Sequence, residues 1–187
     1  MNAPVRFRIG GNFTYPPMTL SMPEFQQIDN VVLIAGGVGI NPIMSMITAM
    51  EMQGAKRLGG LPSRLRILYT SKRQKTESGE PEEVLFEERL RAVAAKCAEK
   101  DKDVDFGYSC FETSTGGSQS EQVPANMEVV QRRIQHQDLF DALGTEDRRK
   151  STLVYVCGLP GMTDEFVDLL RKSPGLDERR VLCEKWW

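Results

Sequence analysis

A glycine-rich turn, GGVGINP at residues 36–42, has the residue types of an anion-binding site. Glycine has no Cβ, so this turn lets the backbone approach a ligand closely. An apolar run precedes the turn and a helical pattern follows it, with Asn41 suited to the N-cap and Pro42 to the first helical position. The start of a helix offers free N–H groups and a positive dipole end. The turn therefore predicts a pyrophosphate site, and a tight turn without a ligand is the alternative.

The turn departs from two better-known phosphate-binding sequences. Pro42 stands where the third glycine of G-x-G-x-x-G would be, so the match is limited to Gly37-x-Gly39. No Gly-Lys-Ser/Thr follows, so the turn is not a P-loop, and phosphoryl transfer is disfavoured.

Two further segments could contribute to the same site. CGLPGM, at residues 157–162, follows another apolar run, so Cys157 could face a ligand while Gly158 leaves room for it. A buried structural cysteine followed by a turn is the alternative. The chain ends in EKWW, and the indole of Trp187 would suit stacking on a flat ring, with a docked structural terminus as the alternative.

The elements that must position these residues alternate between apolar strands and amphipathic helices. This rhythm predicts an α/β fold with an open, doubly wound parallel sheet covered on both faces. The strands are expected at residues 31–35, 66–70, 104–111, 153–157 and 181–184, and the helices at residues 42–53, 82–96, 137–143 and 160–172. Residues 112–122 read as a loop.

The first thirty residues do not follow that rhythm. Residues 6–9 alternate like a strand of an antiparallel element, and residues 18–25 read as a proline-punctuated connector. A single strand needs a partner sheet, so we expect residues 1–29 to be the remnant of a second domain plus a connector. Residues 30–187 then form the main domain.

Composition excludes several classes of function. The net charge of −2 lacks the basic field that nonspecific nucleic-acid binding needs, and no apolar run is long enough to span a membrane. Four isolated cysteines without a C-x-x-C pair, and one histidine, make a metal site improbable and indicate reduced thiols in an intracellular protein.

Taken together, the motifs resemble the pyridine-nucleotide domain of the ferredoxin–NADP reductase superfamily from about residue 31 to the end. GGVGINP, YTSKR at residues 69–73, CGLPGM and the final EKW correspond to the family's motifs in order, and Arg133-Ile134 resembles its Gly-Arg-Ile. The resemblance implies a Rossmann-like NAD(P)-binding domain. It also implies that residues 6–13 are the last strand of a flavin-binding β-barrel.

The resemblance implies roles for individual residues. Glu184 would be the active-site carboxylate, Cys157 would border the nicotinamide, and Trp187 would cover the flavin face, which makes these three the catalytic candidates. Ser71 and Arg73 would lie near the adenine ribose. The cofactor-binding candidates are Gly36, Gly37, Val38, Gly39, Ile40, Asn41, Pro42, Ser71, Arg73, Cys157, Gly158, Pro160 and Met162.

The implied function is to position NAD(P)H for hydride transfer to FAD, so the chain would be one half of a flavin-dependent oxidoreductase. NAD is ranked before NADP, although the basic residues 72–75 could accept a 2′-phosphate. The chain lacks the family's flavin motif, so FAD is expected only through a barrel domain that it does not contain, and the chain alone is expected to be inactive. The partners would then be a nicotinamide dinucleotide and a flavin domain or electron-acceptor protein.

Two further points stay open at this stage. A noncatalytic nucleotide-binding or protein-interaction module is the alternative function. The location is expected to be mitochondrial by resemblance, or cytoplasmic because no presequence is recognisable.

Overall fold

The structure is a computed structural model of the chain. It describes residues 12–53, 61–73, 76–79, 82–99, 104–113 and 124–185. Within these residues, no helix combines the length and the apolar character needed to cross a membrane.

Six parallel strands form one open sheet, in the order β4-β3-β2-β1-β5-β6. The strands are β1 (Asn30–Gly36), β2 (Arg64–Ser71), β3 (Asp105–Glu112), β4 (Met127–Val130), β5 (Thr152–Cys157) and β6 (Val181–Glu184). β1 and β5 are buried along their whole length, as their uninterrupted apolar runs predict. The predicted doubly wound α/β class is confirmed.

Helices cover both faces of this sheet. They are α1 (Met22–Phe25), α2 (Ile40–Gln53), α3 (Glu87–Glu99), α4 (His136–Leu143), α5 (Glu146–Arg149) and α6 (Pro160–Arg171). α2 and α3 pack on the face that carries Leu33 and Tyr155, whereas α4 and α6 pack on the face that carries Ile34 and Val156. Alternate residues of each strand therefore enter opposite cores.

The chain changes direction between β1 and β5. From β1 it winds outward through β2 and β3 to β4, and it then crosses back to place β5 on the other side of β1. In doubly wound sheets, ligands bind outside the carboxyl ends of the strands at such a switch point. The turns that follow β1 and β5 therefore meet at the position where a ligand is expected.

Some local expectations were wrong. Asn41 is not the N-cap of α2, because the helix already begins at Ile40, directly after a 3-10 turn at Gly37–Gly39. β4 and the short helices α1 and α5 were not predicted. The predicted strand at residues 6–9, and with it the barrel remnant, lies outside the described residues, as does most of the predicted loop at residues 112–122.

Residues just before β1 pack on the sheet. Phe13 and Tyr15 contact Tyr155 with ring centroids 5.3 and 6.4 Å apart, and the Tyr155 hydroxyl donates a hydrogen bond to the carbonyl of Thr14. Leu20 and Phe25 are buried in the same core. The connector is thus packed against the face of β5 that also bears Cys157. The predicted domain boundary at residue 30 stays a prediction.

Candidate functional site

The turn after β1 presents backbone rather than side chain to the carboxyl end of the sheet. Gly37 has φ of +54°, is exposed, and has no atom within 4 Å of the position that a Cβ would occupy. Ile40 is fully buried, and its backbone N–H donates to the carbonyls of Gly37 and Val38. The Asn41 side-chain amide donates to the carbonyl of Val38 at 2.8 Å and fixes the shape of the turn.

This turn fits an anionic group by its own geometry. The positive end of the α2 dipole lies directly after the turn, although the Ile40 N–H is already bonded within the turn and Pro42 has no N–H. The open space beside Gly37 leaves the backbone accessible at that place. A pyrophosphate could therefore accept hydrogen bonds here without displacing a side chain.

Gly39 lacks a side chain because of protein packing, and not, as the sequence suggests, to let a ligand approach. A Cβ on Gly39 would lie 2.1 Å from the carbonyl oxygen of Cys157 and 2.9 Å from the nitrogen of Gly158. The missing side chain thus allows the turns after β1 and β5 to pack against each other. The open approach for a ligand is at Gly37.

The space beside Gly158 is filled in this structure by a methionine. A Cβ on Gly158 would lie 2.4 Å from the terminal methyl of Met162 and 3.0 Å from the nitrogen of Gly36. The same methyl lies 3.0 Å from a Cβ built on Gly36. Gly36, Gly158 and Met162 therefore pack together, with a flexible thioether where open room was expected.

Cys157 and Glu184 are neighbours at the carboxyl ends of β5 and β6. They are paired in the parallel register, which places both side chains on one face of the sheet. Cys157 is 2% exposed, and burial, with the nearby Glu184 and Cys183, raises the pKa of its thiol to about 11. The thiol is therefore neutral at pH 7 and is not an activated nucleophile.

The mouth of the crevice has an apolar rim that sequence reasoning only partly found. Val38 is 61% exposed on the turn after β1, and Leu159 is 72% exposed on the turn after β5. Pro160 occupies the first turn of α6, beside Leu159. The sequence could have indicated this exposed position of Leu159, because an apolar residue inside the turn Gly-Leu-Pro-Gly has no place in the core.

A separate cleft of about 570 Å³ runs along β6. Phe13, Leu182 and Glu184 are among the residues that line it. Glu184 is half-buried there, so it lies between this cleft and the crevice at Cys157.

Ser71 and Arg73 lie at the carboxyl end of β2, but Arg73 is held by carboxylates. Its Nε donates to Glu112 at 2.8 Å, and its Nη2 donates to Glu112 at 2.5 Å and to Glu87 at 2.9 Å. Desolvation alone would lower the pKa of Arg73, but these carboxylates outweigh it and raise the pKa overall. No short-range sequence pattern indicated this pairing, because its members are 14 and 39 residues from Arg73.

Trp187, the third catalytic candidate, lies outside the described residues. Among residues that the structure does describe, no group of three or more histidine, cysteine or acidic side chains is placed to hold a metal ion.

Comparison with known proteins connects this geometry to a family. The family model of the oxidoreductase NAD-binding domain matches residues 33–168. Among curated proteins, oxidoreductase NAD-binding domain-containing protein 1 from Bos taurus is 28% identical over 193 residues, covering 100% of this chain and 54% of the relative. The Homo sapiens protein of that name is also 28% identical, covering 100% of the chain and 53% of the relative. The chain thus spans about half the length of these relatives.

Two solved structures are similar to part of this chain. A flavohemoglobin from Malassezia yamatoensis has a TM-score of 0.46 at 17% identity, covering 84% of this chain and 32% of its own. A ferredoxin–NADP+ reductase from Plasmodium falciparum has a TM-score of 0.43 at 18% identity, and the match covers 89% of this chain and 55% of the reductase chain.

Proposed function

Since the chain belongs to the oxidoreductase NAD-binding domain family, we propose that it binds a nicotinamide dinucleotide in the crevice between β1 and β5 and positions it for hydride transfer to a flavin. The observation that carries this proposal is the meeting of two turns at the switch point. The turn after β1 leads into α2, and the turn after β5 carries Cys157 and Gly158. Ligands of doubly wound sheets bind at this place.

The turn after β1 would hold the pyrophosphate. The exposed backbone of Gly37 and Val38 and the positive end of the α2 dipole favour two adjacent negative charges. The left-handed conformation of Gly37 keeps this surface free of a side chain, while the contact of Gly39 with Cys157 fixes its position. Binding there depends on backbone geometry rather than on a charged side chain.

Residues at the ends of β5 and β6 would form the nicotinamide end. A bound nicotinamide supplies the hydride, and the protein determines its orientation. The buried thiol of Cys157 remains protonated and offers an uncharged surface, and the half-buried Glu184 places a carboxyl group beside it. The exposed Leu159 excludes water from one side of the crevice mouth.

The wider assembly belongs to the same proposal. A flavin domain or an electron-acceptor protein would receive the electrons, and the whole relatives are about twice as long as this chain. NAD is the proposed cofactor rather than NADP. The mitochondrial or cytoplasmic location stays a prediction from the sequence.

The proposal is tested by separating binding from rate. NADH binding is measured by fluorescence titration, and NADH oxidation is followed at 340 nm with a separate flavin-binding domain supplied as the acceptor. We expect saturable binding and a protein-dependent rate. In Glu184→Gln the rate at saturating NADH should fall about tenfold with Kd nearly unchanged, because a group at the reacting end affects rate more than affinity.

The matched control is Glu178→Gln, which makes the same substitution at an exposed position of the same cleft and should leave both quantities unchanged. Absence of saturable binding would refute the proposal. Binding without any protein-dependent oxidation would refute the hydride-transfer part and favour a nucleotide-binding module.

A further inference from the structure

Arg73 is the centre of a network that joins the ends of β2 and β3 to the start of α3. Besides Glu112 and Glu87, its guanidinium donates to the carbonyl of Glu82 at 2.9 Å. Four donor contacts of the planar guanidinium thus point at protein acceptors. Its side chain is 10% exposed.

The two carboxylates are held as firmly as the arginine. Glu112 is 2% exposed and also accepts a hydrogen bond from Gln131 at 2.9 Å. Glu87 accepts from the backbone N–H of Val84 at 3.1 Å and from Arg91 at 2.8 Å. The charges of Arg73, Arg91, Glu87 and Glu112 sum to zero.

This network opposes binding of a second phosphate on the adenine ribose. An arginine that receives a 2′-phosphate must turn its fork toward the ligand, and here that movement would leave Glu112 buried without its cation. If Arg73 stays in place, the phosphate approaches two carboxylates whose charge is already matched. Lys72 is exposed nearby, where its charge is screened by solvent.

We propose that Arg73 is a positioning residue, and that Glu87 and Glu112, by holding it, make the site selective for nucleotides with a free 2′-hydroxyl. This inference rests on the proposed function, because it needs the adenine ribose to lie at the end of β2. It assigns to the pair of carboxylates the discrimination between NADH and NADPH. The charge of Arg73 is then used within the protein and is not available to a 2′-phosphate.

The test compares Kd values for NADH and NADPH in the wild-type chain and in Glu87→Gln. The wild type should bind NADH at least about tenfold more tightly, which corresponds to about 1.4 kcal/mol. Glu87→Gln removes one carboxylate from Arg73 and should reduce this ratio about fivefold or more through tighter NADPH binding. The control is Glu88→Gln, which changes the net charge equally on the adjacent exposed residue and should leave the ratio unchanged.

A second measurement does not depend on a variant that folds. Because the network has no net charge and withholds a cation rather than repelling the phosphate, the wild-type ratio of the two Kd values should stay at about tenfold or more as the salt concentration is raised. Equal or tighter binding of NADPH by the wild type, or an unchanged ratio in Glu87→Gln, would overturn the inference while the proposed function stands. If neither nucleotide binds the wild type, the proposed function fails, and this inference fails with it.

Discussion

Placing a side chain on Gly37 tests the pyrophosphate site with two variants of the same shape. Asn and Asp tolerate the left-handed backbone better than other residues, and no atom lies within 4 Å of the new Cβ. Gly37→Asn and Gly37→Asp therefore differ mainly in charge. If the diphosphate of NADH binds at this turn, the aspartate carboxylate lies close to two negative charges and should weaken binding well beyond the asparagine.

The magnitude follows from Coulomb's law. Two unit charges 4 Å apart interact by about 1 kcal/mol in water and about 4 kcal/mol at an effective dielectric constant of about 20. The turn is exposed, so about 1.4–2.8 kcal/mol is reasonable, or about 10–100-fold in Kd between the two variants. The difference should shrink as salt is added.

The assay is calorimetric or fluorescence titration with NADH, accompanied by thermal melts. Aspartate near the start of a helix interacts favourably with the helix dipole, so Gly37→Asp should melt no lower than Gly37→Asn. A loss of binding in the aspartate variant then cannot be attributed to unfolding. Equal Kd values for the two variants would refute the placement of the diphosphate at this turn.

Three further predictions concern packing, thiol reactivity and pH. Gly39→Ala should destabilise the fold by about 1–3 kcal/mol in thermal melts, because its Cβ would overlap the carbonyl of Cys157, whereas Gly161→Ala meets no atom within 4 Å and should not lower the melting temperature. Iodoacetamide at about pH 7.5 should modify the half-buried Cys183 before the neutral, buried Cys157, as measured by mass spectrometry; the reverse order would contradict the pKa of about 11. Burial alone would raise the pKa of Glu87, but hydrogen bonds from Arg91 and the Val84 N–H, together with the charge of Arg73, lower this pKa overall. The ionised Glu87 therefore contributes stability above pH 4.5, and this contribution is lost as the pH falls through the lower pKa of the folded state. Urea unfolding from pH 7 to pH 3 should therefore show a smaller acid loss in Glu87→Gln, and an equal loss would contradict the lowered pKa.

Much of the fold could be predicted because the strands at its centre are uninterrupted apolar runs. Residues 31–35 and 153–157 have no charged or amide side chain, which favours a sheet covered on both faces. β4 (Met127–Val130) was missed because four residues at the sheet edge, with only Met127 buried, give too short a pattern. α5 (Glu146–Arg149) is wholly charged, so no apolar periodicity marks it.

The candidate site was harder to predict than the fold because its contacts join distant segments. The glycines were correctly placed at turns, but the sequence does not say which glycine faces a ligand and which faces Cys157. Likewise, Arg73 reads as a free cation until β3 and α3 bring Glu112 and Glu87 to it. Local patterns specify elements, whereas the orientation of these side chains depends on tertiary packing.

The most direct test of the central claim is to map NADH binding onto the backbone by amide NMR. Titration should shift the amides of Gly37, Val38 and Gly39 in the turn before α2, together with those of Gly158 and Leu159 after β5, because these residues border the crevice at the switch point. Shifts confined to the cleft along β6, or no shifts at millimolar NADH, would contradict the claim that the β1–β5 crevice binds the dinucleotide.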